Sequence, residues 1–323
     1  MVLENHGCRA NQADGDGLRE GLSSRGYLFE RDEGHAEVAI VNGCAITHRA
    51  VADTRAAIRS HQRRGRRVVV TGCVANAEAD ALAKLDGVEL VLGTEHRDDF
   101  GERFHRHLQG ARPGAPLVAA DSLVRRRPTA VGAFGLPRER ARAFLKIQDG
   151  CNYRCAFCIV PQVRGRSRSV PLAEVVDRLD LAVAAGVREV VLTGIHIGTW
   201  GWDAGIRPGL VHLLREILPR MGQTRVRLGT LDPQEASPEL LELIATESKI
   251  CPQLHLGLQS GSDRVLRLMR RGHTVKDLGP ALRGLRASRP EVAVTGDIIA
   301  GFPSELEEDF EASLDPVARA LAL

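Results

Sequence analysis

The sequence predicts an α/β protein in two parts: an open parallel α/β sheet over residues 1–109 and a partial (β/α) barrel over 138–323, joined by a connection at 110–137. Three observations predict it. Short apolar runs alternate with amphipathic stretches, the pattern of parallel strands covered by helices. That periodicity weakens only between Gly110 and Arg142, where Pro, Gly and Arg accumulate, as in Arg112-Pro-Gly-Ala-Pro116 and Arg125-Arg-Arg-Pro128. The length of 323 residues suggests about two domains.

In the first part, strands are expected at Val2 to Glu4, Val38 to Val41, Val68 to Thr71 and Val88 to Leu92, with an amphipathic helix such as Ala50 to Gln62 after each. Three of the four end in the same dipeptide: Gly7-Cys8, Gly43-Cys44 and Gly72-Cys73. Open α/β sheets bind ligands outside the carboxyl ends of their strands, so these thiols can converge although they are far apart in sequence. A glycine before each lets the backbone turn and approach a bound group closely. The connection holds one short candidate strand, Leu117 to Ala119.

The second series has strands at Phe144 to Gln148, Glu189 to Thr193, Val226 to Leu231, Leu254 to Gln259 and Val292 to Ile299. Between them, Leu172, Val175, Val176, Leu179 and Val183 form a stripe that faces a sheet, with Pro171 suited to the first turn. Repeated strand-helix units roll into a barrel or part of one, whose working residues lie at the C-terminal ends of the strands. Those ends carry Thr193-Gly194-Ile195-His196, Thr230-Leu231-Asp232, Gln259-Ser260, Asp297 and Gly301-Phe302-Pro303. His196 is expected to be a hydrogen-bonded structural histidine.

Just after the first of these strands lie Cys151, Cys155 and Cys158. Thiolates select iron-sulfur clusters, Zn or Cu(I), and three on one tight loop can hold three corners of a cubane, leaving one iron open. A structural Zn site favours paired Cys-x-x-Cys arms, and the loop has no second arm. The Cys-x3-Cys-x2-Cys spacing resembles the signature of radical S-adenosylmethionine (radical SAM) enzymes. The longer run from Leu145-Lys-Ile-Gln-Asp-Gly-Cys-Asn through Cys158-Ile-Val-Pro161 to Arg164-Gly-Arg is similar to the methylthiotransferase branch, as are Gly7-Cys8-Arg9-Ala10-Asn11 and Val70-Thr71-Gly72-Cys73.

This resemblance implies two [4Fe-4S] clusters. Cys151, Cys155 and Cys158 would hold the one that binds S-adenosylmethionine and cleaves it to a 5′-deoxyadenosyl radical; Cys8, Cys44 and Cys73 would hold an auxiliary one that carries the sulfur to be inserted. It implies S-adenosylmethionine contacts at Thr193, Gly194, Thr230, Gln259, Ser260, Asp297 and Gly301. It also implies tRNA as partner, a reductase or flavodoxin-type electron donor, and methylthiolation at C2 of an adenosine beside the anticodon. Gly194 to Gly201 and Cys251 to Gln259 look most like the enzymes acting on N6-threonylcarbamoyladenosine; isopentenyladenosine or a ribosomal protein side chain are the other family substrates. The family pattern adds a sixth barrel strand and a C-terminal β domain, both absent from the residues here, so a chain cut short and a non-catalytic iron-sulfur RNA-binding protein are further expectations. Ser304 also stands where the family usually has Gly.

Composition limits the alternatives. With 43% hydrophobic and 26% charged residues the chain is ordinary for a globular protein. The sequence contains neither a signal-like apolar stretch near Met1 nor a run of eighteen apolar residues, so a cytoplasmic setting without membrane is expected. There the seven cysteines read as ligands or buried thiols, Cys251 being the packed one. A net charge of +3 does not by itself indicate nucleic acid. Local arginines at 63–64, 66–67, 125–127 and above all Arg164, Arg166 and Arg168, beyond the cysteine loop, are phosphate-binding candidates. Aromatic residues make up 4%, which gives no stacking platform for single strands.

Overall fold

The structure, a computed structural model, describes residues 1–30, 33–110, 116–120, 123, 134–136, 140–277 and 279–322. The arginines at 125–127 lie outside the described residues. In chain order the first elements are β1 (Val2–Asn5), α1 (Arg9–Ser23), β2 (Val38–Gly43), α2 (His48–Arg63), β3 (Arg67–Gly72), α3 (Cys73–Ala83), β4 (Val88–Leu92), α4 (Phe100–Gly110) and β5 (Leu117–Ala119). There follow β6 (Arg142–Lys146), β7 (Gln148–Asp149), α5 (Val160–Val163), β8 (Arg168–Ser169), α6 (Leu172–Ala184), β9 (Glu189–Thr193), α7 (Gly209–Ile217), β10 (Arg225–Leu228) and β11 (Thr230–Leu231). The last are α8 (Pro238–Thr246), β12 (Gln253–Gln259), α9 (Asp263–Leu268), α10 (Gly279–Ser288), β13 (Ala293–Ile298) and α11 (Glu307–Ala322).

The first compact unit holds a five-stranded parallel sheet in the order β1-β2-β3-β4-β5. Because side chains alternate along a strand, its apolar runs serve two faces at once. Val41, Val68, Val70 and Val91 pack with Ile58, Val74 and Leu82 of α2 and α3. Ile40, Val69, Leu90 and Leu92 pack with Leu18 and Leu22 of α1 and Phe100 and Phe104 of α4. All six residues of β2 are buried, and each large apolar side chain so buried contributes roughly 1.5–3 kcal/mol. The register sets Asn5 opposite Asn42 and Gly43 opposite Gly72, so these strands end level with one another.

The unit boundary differs from the one expected. The first unit comprises Met1–Arg140 together with Phe144–Asn152 and Ile159–Val170, so the expected divisions at 109 and 138 are corrected. The physical reason is a buried set of ion pairs, described below, that ties Lys146, Asp149, Arg164 and Arg168 to Asp14 and Arg97.

The second unit comprises Ala141–Ala143, Tyr153–Cys158 and Pro171–Leu323. Its strands follow one another in parallel: β9 pairs with β10, and β11, β12 and β13 form a further parallel set, with Val226 of β10 bridged to Ile250 just before β12. With helices between them, this is the arc of a strand-helix barrel; four of the five expected strands lie in this unit, and the first, expected at Phe144 to Gln148, falls in the first unit. In α6, Val175 and Leu179 are buried as the stripe requires; Pro171 caps the helix rather than entering its first turn. β13 is an edge strand, exposed along most of its length.

Candidate functional site

In the first unit, three thiols stand at the ends of β1, β2 and β3. Cys8 is the residue capping α1, Cys73 is the first residue of α3, and Cys44 follows Gly43 directly. Cys8 is exposed, whereas Cys44 and Cys73 are buried. Two of the three therefore sit at helix N-termini, where the dipole and free amides favour anionic sulfur. The glycines before them are sterically required. Gly7 has φ +99 and a Cβ there would lie 2.3 Å from Cys44 Cβ; Gly72 has φ +89 and its Cβ would lie 2.4 Å from the carbonyl oxygen of Gly43. Buried asparagines lock the same strand ends: Asn11 Nδ2 donates to the carbonyls of His6 (2.7 Å) and Asn42 (3.0 Å), and Asn42 Nδ2 donates to Asn5 Oδ1 (2.8 Å).

Behind Cys73 lies the ion network. Arg164, fully buried, donates from Nε to Cys73 Sγ at 3.0 Å. It also pairs with Asp149 (3.1 Å) and Asp14 (3.0 Å). Arg97 reaches the same carboxylates at 2.7 and 3.1 Å, Lys146 binds both, and Arg168 pairs with Asp149 at 3.2 Å. Burial alone would raise Asp149, but Lys146, Arg164, Arg97 and Arg168 overcome it and hold its carboxyl well below the usual range. Burial pushes the thiols of Cys44 and Cys73 up, and Arg164 opposes this at Cys73. Arg164 is thus not a surface phosphate contact, which corrects the expectation. A guanidinium with no solvent exposure and four protein partners cannot reach an external strand. Arg168 is largely committed to Asp149 as well, and Arg66 is buried against His61 (2.8 Å). Arg166 remains exposed.

Cys151 belongs to the first unit. Its amide donates to the carbonyl of Gly165 (3.0 Å), and the preceding Gly150 amide donates to Asp149 Oδ1 (2.8 Å). The ion network thus also anchors the start of the cysteine loop.

In the second unit, the Cys158 amide donates to the carbonyl of Cys155 (3.1 Å) and the Ala156 amide to that of Met269 (3.0 Å). Arg271 donates to Cys155 Sγ at 3.4 Å while pairing with Asp232 and donating to the carbonyl of Gly257 (3.2 Å). Burial would raise Asp232, but a hydrogen bond from His196 and the charge of Arg271 bring it below the usual carboxylate range. His196 is buried, 2.5 Å from Glu235 and edge-to-face with Tyr153, as suits a structural histidine. Gln259 takes φ +67, and a Cβ at Gly257 would meet its Nε2 at 3.1 Å beside Asp232 and Arg271. A non-glycine residue held in that region stores strain, which commonly marks working sites.

The other strand-end residues divide. Thr193 is buried, while Thr230 and Gly301 are exposed. Asp297 is exposed and pairs with His255 (3.2 Å). Ser260 is corrected: its buried hydroxyl faces Ser313 of α11 (3.3 Å) and accepts from the Ser262 amide (3.1 Å), so it has no free side for a cofactor. Cys251 is 1% exposed and faces Glu189 (3.6 Å), a packed thiol as expected. Sequence reasoning passed over Asp14, Asp149, Arg97 and Arg271, whose only sequence signals are Asp149 beside Gly150-Cys151 and a polar residue inside an amphipathic α1.

Among the described residues no group of three or more His, Cys, Asp or Glu is spaced to hold a single metal ion. A cubane spreads its ligand sulfurs far wider than one ion does. Three thiols at level strand ends, two at helix N-termini and one met by a guanidinium, fit such a cluster.

Two family models match the chain. The profile described as "Radical SAM superfamily" matches residues 145–317, and "Uncharacterized protein family UPF0004" matches residues 1–93. The threonylcarbamoyladenosine tRNA methylthiotransferase MtaB of Aquifex aeolicus is 36% identical over 99% of this chain and 77% of its own length. The chain belongs to the radical SAM methylthiotransferase family. A second relative of that kind, the tRNA-2-methylthio-N(6)-dimethylallyladenosine synthase of Anaeromyxobacter dehalogenans, is also 36% identical, over 99% of this chain and 68% of its own. Among solved structures, the radical S-adenosylmethionine methyltransferase TsrM of Kitasatospora setae superposes with a TM-score of 0.71 at 19% identity, covering 99% of this chain and 71% of that one, a likeness of fold. Membership in the radical SAM methylthiotransferase family brings S-adenosylmethionine and a [4Fe-4S] cluster.

Proposed function

We propose that the chain inserts sulfur and a methyl group at C2 of N6-threonylcarbamoyladenosine next to a tRNA anticodon, using S-adenosylmethionine and two [4Fe-4S] clusters, one on Cys151, Cys155 and Cys158 and one on Cys8, Cys44 and Cys73. The observation that carries it is the second thiol triplet, set at three level strand ends by glycines that tolerate no side chain. Simple radical SAM chemistry does not need that triplet; sulfur delivery does. When bound, the cluster on the Cys151 loop supplies the electron that cleaves S-adenosylmethionine.

The chain's own part is positioning. Arg271 steadies Cys155 from behind, and Asp232 and the Gly257 carbonyl fix Arg271. Thr193, Gly194, Thr230, Gln259 and Gly301 lie at strand ends where the cofactor's amino, ribose and carboxylate groups would be met, with Asp297 a further candidate. Arg166 is the arginine of its cluster left to meet a phosphate. The work of these residues is to bring adenine, sulfur and cofactor within reacting distance and to exclude water. A reductase or flavodoxin-type protein would supply electrons in the cytoplasm.

The threonylcarbamoyl substrate is supported by the segments Gly194 to Gly201 and Cys251 to Gln259 and by the Aquifex relative. The equal identity of the Anaeromyxobacter relative favours dimethylallyladenosine as the second reading. The test is anaerobic incubation of reconstituted protein with dithionite, S-adenosylmethionine and tRNA carrying one or the other base, followed by mass spectrometry of the nucleosides. A methylthio adduct on the threonylcarbamoyl base is expected. An adduct only on the dimethylallyl base moves the assignment. No 5′-deoxyadenosine from fully clustered protein supports a non-catalytic iron-sulfur protein instead.

A further inference from the structure

Among the described residues, the buried ion network holds more cations than buried carboxylates. Arg97, Lys146, Arg164 and Arg168 face two buried carboxylates, Asp14 and Asp149. Asp98, a further carboxylate within range of Arg97, Lys146 and Arg168, is exposed. Surplus cations are costly to bury unless an anion compensates them. The side of Arg164 away from the carboxylates shows what that anion is, because Nε is directed at Cys73 Sγ at 3.0 Å. The neighbouring thiol of Cys44 is met by backbone amides, those of Ile46 at 3.5 Å and of Cys8. One thiol of the triplet is therefore singled out for a charged donor. A [4Fe-4S] core held by three thiolates is anionic and becomes more so on gaining an electron, and hydrogen bonds to sulfur together with nearby charge set its potential.

We propose that Arg164 is a positioning residue for the sulfur-delivering cluster: its Nε–H holds Cys73 as a cluster thiolate, and the cation surplus behind it favours the reduced state of that cluster. The inference rests on the second cluster of the proposed function. The redox step is the addition of one electron from an external reductant to the cluster, with no bond broken and no proton moved. Through Asp149, which accepts from both Arg164 and the Gly150 amide, the same guanidinium also braces the residue before Cys151. A change at Arg164 is thus felt at Cys73 and at the residue before Cys151.

The test uses the full chain with Cys151, Cys155 and Cys158 replaced by alanine, so that only the second site can load. About four iron and four sulfide per chain are expected there; none would remove the second cluster, and with it the ground of this proposal, before Arg164 is touched. With that cluster present, Arg164→Lys keeps the charge but withdraws the Nε donor. Electron paramagnetic resonance during a dithionite titration should show the reduced-to-oxidised ratio at fixed potential falling about tenfold, a shift of about 59 mV for one electron. Arg168→Gln removes a rim charge and leaves the N–H···S bond, so the shift should have the same sign and be smaller. An unchanged potential in a fully loaded, folded Arg164→Lys protein overturns the proposal. Where that variant does not fold, Arg168→Gln decides: a potential lowered relative to the unsubstituted site supports the proposal, and an unchanged one overturns it.

Discussion

At the scale of single residues, backbone conformation and charge give the sharpest expectations. Gly72→Ala places a Cβ 2.4 Å from a backbone carbonyl that cannot retreat, at φ +89. It should cost about 2 kcal/mol or more in denaturant unfolding and remove the iron of the Cys8, Cys44 and Cys73 site. Ser304 presents the opposite case, exposed and at φ +70. Ser304→Gly relieves that conformation, so an upward shift in the denaturation midpoint worth about 0.5–1 kcal/mol is expected. Glu4 governs part of the acid response. Hydrogen bonds from His6 and then His61 bring its pKa down to about 2. A carboxyl depressed in the folded state stabilises fully above its unfolded value of about 4.3, and that stability is lost as pH falls through about 2. Because the side chain is 42% exposed, screening limits the effect to of order 1 kcal/mol or less. Stability measured from pH 5 downward should fall more steeply for the unsubstituted protein than for Glu4→Gln.

Elements were largely legible because most strands are short apolar runs buried on both faces, and several are closed by glycine. The cysteines at Gly-Cys dipeptides were legible for the same reason, since the residue after a strand's last glycine has only one place to be. Ser260 was not. It ends an apolar strand beside a polar turn, and only the return of α11 shows that its hydroxyl is taken by Ser313. The contact yields a prediction of its own. Ser313 is 1% exposed, accepts from the Gly261 amide at 2.8 Å and donates to the carbonyl of Asp309 at 3.0 Å. Ser313→Val leaves a part-buried amide unpaired and should cost about 1 kcal/mol or more, read as a lower melting temperature with cofactor binding at the Cys151 loop retained.

At the scale of the whole chain, the two-part organisation was visible in the sequence but its boundary was not. Asp14 and Arg164 lie 150 positions apart, and no local pattern announces that they pair. The pairing carries the segments after β6 into the first unit and sets Cys73 and the residue before Cys151 on one ionic framework. Among the described residues no helix is long and apolar enough to cross a membrane. The proposed chemistry requires each thiol triplet to hold its own cubane. Iron and acid-labile sulfide, counted on anaerobically reconstituted protein and on a variant with Cys8, Cys44 and Cys73 changed to alanine, test this most directly. About eight of each should fall to about four; about four of each in both proteins would contradict it.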